Sequence, residues 1–572
     1  MHRMRFALAW IAVGWIACGA GRHAELPTPE PADLVLRGGA VYTMDAARSW
    51  AQALAVDAGR IAAVGSDQAI AAWIGPETRV VELSGAMLLP GFHDAHAHPA
   101  WGGLDLMGCS LLGRTDLDAV LQALRACNEA APGTSWLYAS ELYLAALPGG
   151  SGRKELLDAI APDRPVFVYG ADGHSAWVNS KALEIAGVGH DTPDPPASVI
   201  ERDAATGEPS GMLREAAMEL VTQHMPKKTM AERIAGLRLA VRLANQLGIT
   251  SFIDASVGEA EMASYKALEE RGGLSVRTLL SMEWGTHFQS PLSEQEALLS
   301  RRTRYEGPRI RTNSIKIFVD GVLEGETAAL IDPYLGERRH RGPLIFSPEQ
   351  LNAWVIRFDA EDLQVHMHAI GDLAVRVGLD AFEAARAANG ARDNRHHISH
   401  LQLIHPDDVP RFAKLGVAAN FQPLWAFPDR YITEINLPAL GPERVRRMYP
   451  IGSMHRSGAL LVAGSDWNVS SMNPLLAIEA AVTRQDPDGV IEGVLNADER
   501  VDLDTILAAY TIGGAQLMHQ EAVTGSIETG KAADLVVLDK NLFEVPAREI
   551  GDVRVLQTWI DGERVYPDGA AH

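Results

Sequence analysis

Cysteine is nearly absent: 572 residues hold three, Cys18, Cys109 and Cys127. That count excludes a disulfide-stapled scaffold and a cysteine-built zinc site. Cys109 and Cys127 are free either to pair or to stay as two buried thiols. Basic charge is also short, with 51 Lys and Arg against 73 Asp and Glu and a formal net charge of −22. Phosphate recognition wants a basic face, so nucleic acid is excluded as a partner. After the first twenty residues no run approaches the ~18 apolar residues that a spanning helix needs, so none is expected. What remains is a globular composition, 47% hydrophobic and 22% charged, in a chain long enough for more than one domain.

The first residues, "MHRMRFALAWIAVGWIACGAG", have a basic start at Arg3 and Arg5 and a short apolar stretch from Phe6 to Ala17. This is the form of an export signal. "WIACG" resembles a bacterial lipobox with Cys18 as the lipid-bearing residue, and Trp15 stands where such boxes usually have Leu. Residues 1–18 are therefore expected to be a signal with a lipobox. The Pro-rich segment 19–32 suits a tether. The expectation is an exported protein, periplasmic or anchored to the membrane through a lipid on Cys18.

From Asp33 the chain reads as short strands separated by Gly-rich turns, and the same style returns in "GSIETGKAADLVVLDKN" and "VLQTWIDGERVY". Residues 33–89 and 521–567 are expected to build one small β-sandwich from both chain ends. Between them, short apolar strands such as "NSIKIFVDG" and "LQVHMHAIGD" alternate with helical patterns. Repeated βα units imply a parallel sheet, and their number predicts an α/β fold, a TIM-like (β/α)₈ barrel, over 90–520. The stretch from about 104 to 240 exceeds one βα unit and reads as an insertion over the barrel mouth.

Polar residues sit where the barrel strands end. "GFHDAHAHP" brings His96 and His98 to one strand face, with Asp94 on the same side. Lys316 lies on an apolar strand; "VHMHAIGD" adds His366 and His368; "RHHISHLQ" adds His396, His397 and His400; "VAGSDWN" adds Asp466. Singly, a buried histidine is more often a satisfied core residue, and an Asp after "GS" a helix cap. The ordered set, all at strand ends of one barrel, points to a metal centre.

The motifs "LPGFHDAHAHP", "GHSAWVNSKAL", "SIKIFVDG", "HAIGDLAV", "ISHLQLIHPDDVPRFAKLGVAANFQP", "GSDWNV" and "GSIETGKAADLVVLD" resemble the amidohydrolase superfamily, in the branch that includes the N-substituted formamide deformylases. The resemblance runs from about Asp33 to Tyr566. It implies one or two divalent ions, zinc first among them, held by His96, His98, Lys316, His368, His400 and Asp466. Lys316 would be carboxylated and bridge two ions, since an unmodified ammonium has no lone pair. It implies hydrolysis of an amide-type carbon–nitrogen bond in a small molecule by metal-activated hydroxide, with Asp466 as the proton carrier. His174 and His366 are the candidate substrate contacts, and His366 could alternatively support a ligand from behind. Relatives usually carry Glu before the sixth-strand histidine. This chain has Ser399 there, which strand alternation would point away from the interior. Deamination, ester or lactone hydrolysis, or ligand binding without catalysis by a surface lipoprotein, stay open as alternatives. The sequence leaves the oligomeric state unspecified.

Overall fold

The computed structural model describes residues 30–131, 136–285, 290–336 and 339–567. The expected export signal, Cys18 and most of the expected tether lie outside the described residues. The apolar segments of the middle region form eight parallel strands: β1 (Phe92–Ala97), β2 (Ile249–Val257), β3 (Arg277–Glu283), β4 (Ile310–Phe318), β5 (Gln364–Ala369), β6 (His397–His400), β7 (Ala418–Phe421) and β8 (Leu461–Ala463). Each pairs with the next, in sequence order, from β1 to β8. Every residue of β1 and β2 is buried, as expected of strands covered on both faces.

The seam between β1 and β8 is closed largely by side chains and loop backbone. Asp466 N–H donates to the His96 carbonyl at 2.7 Å, and the Asn420 side-chain amide donates to the Ala95 carbonyl at 2.9 Å. Asp94 accepts from Ser465 N–H at 2.9 Å and from its hydroxyl at 2.5 Å. Asp94 therefore ties the seam and does not join the histidines it was expected to accompany. Gly464 is required here, because a Cβ would lie 2.5 Å from the His96 nitrogen.

Both chain ends build the small sandwich. Met87–Pro90 runs antiparallel to Leu535–Leu538 in a six-stranded sheet. A four-stranded sheet, which includes Leu34–Arg37 and Ala53–Asp57, packs over it around Leu36, Leu54, Leu88, Val537 and Trp559. One residue, Gly91, separates Met87–Pro90 from β1, so the sandwich fixes where β1 enters the barrel. Arg277, at the start of β3, pairs with Asp534 of the sandwich at 2.7 Å.

The long segment after β1 has a sheet of its own, six strands running from Cys109–Ser110 through Leu137–Leu142 and Val166–Gly170 to Val199–Arg202. Two apolar clusters flank it, one around Leu124, Val168 and Trp177, the other around Phe167, Leu183 and Leu213. Cys109 and Cys127 are disulfide-bonded, fastening its edge strand to helix Leu117–Ala130. The insertion ends before residue 240. Met230–Gln246, opened by a Thr229–Glu232 capping box, is a barrel helix that packs on Pro99–Asp105 and feeds β2.

Candidate metal centre and active site

The sequence-predicted ligands collect at the C-terminal ends of β1, β4, β5, β6 and β8. His96 Nε2 and His98 Nε2 lie 3.3 and 3.1 Å from the same oxygen of Asp466, Oδ1. One ligand atom from each of these three residues falls within 4.8 Å of the others. Lys316 Nζ lies 3.4 Å from His96 Nε2. His400 flanks the cluster, its ring centroid 4.6 Å from that of His96 and 4.5 Å from that of His368.

His400 depends on a break in the strand. It has φ 78° and Leu401 φ 51°, so the chain leaves the pleat and alternation no longer applies. Ser399 and His400 both turn inward. Ser399 Oγ lies 2.8 Å from His366 Nε2, against the expectation that it would face away. His400 Nδ1 donates to Gln422 Oε1 at 2.9 Å, which leaves Nε2 with the lone pair. Its ring stacks on Trp425 at 5.6 Å.

His366 was expected either to meet substrate or to support a ligand from behind. It sits behind His96, with Nε2 2.9 Å from His96 Nδ1, and does not line the cavity. That contact fixes the His96 ring with Nε2 turned to the cluster. His366→Ala is expected to weaken metal affinity about 10- to 100-fold, measured by chelator competition. Unchanged affinity would reduce His366 to packing. Of the neighbouring histidines, His397 packs its ring 4.0 Å from that of His366, and His396 faces Asp359 at 3.0 Å, away from the site.

Burial holds His96, His366, His368 and His400 well below the ordinary imidazole range, so the rings are neutral and their lone pairs available. Burial opposes ionisation of Asp466, yet His96, His98 and His400 hold it well below the usual carboxylate range. Burial pulls the Lys316 ammonium down to about 7, against Asp466 and Glu283. Neutral imidazoles around a buried carboxylate suit a divalent cation. Asp466 Oδ1 and His98 Nδ1 are buried with no hydrogen-bond partner among the described residues. The donor set thus fits a bound ion.

The cluster forms the floor of a cavity of about 390 Å³, to which His98, Lys316, His368, His400 and Asp466 contribute. His174, from the insertion, stands on its wall, its ring centroid 4.9 Å from that of His368. Its Nδ1 lies 2.7 Å from Glu215 Oε2, and Glu215 in turn accepts from the Thr327 hydroxyl at 2.7 Å. Burial alone would lower the imidazole. Glu215, with Asp172 and Asp466, outweighs it and raises His174 to about 9. Glu215 carried no sequence signal, because its pairing with His174 spans two strands of the insertion.

An eight-stranded parallel barrel with buried histidines and an aspartate converging at the strand ends defines a metal-dependent hydrolase. The chain belongs to the amidohydrolase family, whose pattern it matches over residues 79–566. Protein LONG AFTER FAR-RED 3 of Arabidopsis thaliana is 32% identical over 94% of this chain and 92% of its own. The N-substituted formamide deformylase of Arthrobacter pascens is 30% identical over 93% of this chain and 98% of its own. The crystal structure of an uncharacterized metal-dependent hydrolase from Pyrococcus horikoshii superposes with a TM-score of 0.70 at 25% identity, covering 90% and 99% of the two chains.

Proposed function

We propose that the protein hydrolyses the amide-type carbon–nitrogen bond of a small N-acylated amine, giving a carboxylic acid and the free amine. The observation that carries this reading is the His96–His98–Asp466 cluster at a cavity whose wall bears His174 paired with Glu215. Likeness to a formamide deformylase over most of both chains supports it. A divalent ion, zinc for preference, would lower the pKa of a bound water towards 7 and polarise the substrate carbonyl. His96, His98 and Asp466 would hold that ion, while His368, His400 and a carboxylated Lys316 would hold a second. Asp466, anionic at neutral pH, accepts the proton of the attacking water and returns it to the leaving nitrogen. His174, oriented by Glu215 through Nδ1 and standing on the cavity wall, is the side chain we assign to hold the carbonyl oxygen.

Removing metal with a chelator is expected to abolish release of amine from formamide and acetamide substrates, and Zn²⁺ should restore it. Full activity after verified metal removal would refute the reading. Ammonia or an alcohol as the product would move the scissile bond.

Export is proposed as well. The pairing of Cys109 with Cys127 supports it, since disulfides persist in oxidising compartments. Mass spectrometry of the native N-terminus is expected to find a processed chain with lipid on Cys18. An intact Met1 on protein free of membrane would refute export, and processing without lipid would refute only the anchor.

A further inference from the structure

Charge is unevenly spread over the cavity. At the metal end stand Lys316, assigned above as a ligand, and His174, which pairs with Glu215. Among the described lining residues Lys316 is the single lysine, and no arginine is present. Three carboxylates from three separate segments meet the same space: Asp172 of the insertion, Glu324 from the loop after β4, and Asp429 from the loop after β7. Among the described residues none of the three pairs with Lys or Arg. Asp172 accepts from His174 N–H at 3.2 Å and from the Ser175 hydroxyl at 2.5 Å. Glu324 accepts from the Asn436 amide at 3.1 Å, and Asp429 from Ile432 N–H at 2.9 Å.

Burial, then Glu324 and Asp486, raises Asp429 to about 7. Burial raises Glu324 too, with Asp172 adding to it and His174 opposing. Half-buried carboxylates without a cation are costly, and a ligand that brings positive charge relieves them. The adjoining wall is aromatic. Tyr143 and Tyr431 meet edge to face at 4.6 Å, and Tyr449 lines the same space. Such rings favour a cation over a carboxylate.

We infer that the Asp172–Glu324–Asp429 wall selects substrates whose amine portion carries a second, cationic nitrogen, an ammonium or guanidinium, and rejects those carrying a carboxylate. This rests on the amide-hydrolase reading and names its substrate class: mono-N-acylated diamines and their guanidino counterparts. The acyl end lies towards Lys316 and His174, and the cation towards Glu324 and Asp429.

Three probes of matched length test this on the metal-loaded full chain above neutral pH: the mono-acetamide of diaminobutane, N-pentylacetamide and acetamidopentanoate. By calorimetry the ammonium compound is expected to bind at least about tenfold tighter than its neutral isostere, the effect of one charged hydrogen bond. The carboxylate should bind weakest. In Glu324→Gln, which keeps the side-chain volume, and in Asp429→Asn, the ratio of cationic to neutral affinity should fall towards one. Equal affinity for cation and neutral isostere in the unmodified chain, tightest binding of the carboxylate, or no binding of any probe would overturn the inference. That comparison needs no variant to fold. Amine release from all three probes without discrimination would sink the wall and leave the amide-hydrolase reading standing. Discrimination in binding without amine release from any probe would do the reverse.

Discussion

Replacing His96 with alanine is expected to lower turnover by at least about a thousandfold and to strip metal from the protein, with the fold kept. Most of the effect follows from losing the shift of water from a pKa of about 15.7 towards 7. His96 Nε2 sits within 3.4 Å of both Asp466 and Lys316, so no other ring substitutes for it. Its loss also removes one of the two contacts of His366 Nε2, the one to Ser399 Oγ remaining. The sandwich, the insertion and the barrel each have an apolar cluster of their own, so metal is not needed to fold the chain. His400→Ala should behave alike, losing in addition the stack on Trp425. Metal analysis, turnover and circular dichroism check both variants. Wild-type metal content and rate, or the spectrum of an unfolded chain, would count against the assignment.

Lys316→Ala is expected to be nearly inactive, and short carboxylic acids such as propionate should restore part of the rate. Lys316 is fully buried on β4, with Ile315 and Ile317 turned to the opposite face. Nζ lies beside His96 and is fully buried, and that burial disfavours an ammonium next to bound cations. A neutral amine there can add carbon dioxide and release a proton, leaving an anionic carbamate with two ligating oxygens. In the alanine variant an added carboxylate would occupy the space this group vacates. Rescue with recovery of a second metal equivalent supports the bridge. No rescue, with one metal retained and binding of an amide substrate weakened, would recast Lys316 as a donor that orients substrate.

The candidate ligands that the structure brings together were legible in the sequence because they sit near the ends of apolar strands, and His96 and His98, two residues apart at the end of β1, were expected to share a face. Both chain ends declared the sandwich through matching strand-and-turn chemistry. Local periodicity misled at Ser399, where the left-handed backbone at His400 breaks the alternation. It was also silent on His366, since a residue facing inward along a strand can sit behind a ligand or beside the substrate, and only the packing of β5 against β1 decides. Glu215, Glu324 and Asp429 were invisible for another reason. They come from loops and from the insertion, where no period constrains the side chain and partners lie far away in sequence. The end of the insertion was placed too late because the amphipathic Met230–Gln246 continues the chain without a break, although its capping box marks a fresh start.

The ligands stand on barrel strands, whereas much of the wall above them belongs to a segment with its own sheet, cores and disulfide. Mutations in Glu141, Tyr143, Tyr169 or Asp172 can therefore accumulate without disturbing the backbone that carries His96 or Asp466. Selection can retune which molecule is admitted while the hydrolytic machinery drifts little. Grafting residues 109–222 from one relative onto the barrel of another would then shift preference in part, because Glu324 and Asp429 stay with the barrel, as exchanging one jaw of a pair changes what a tool grips and not how it is driven.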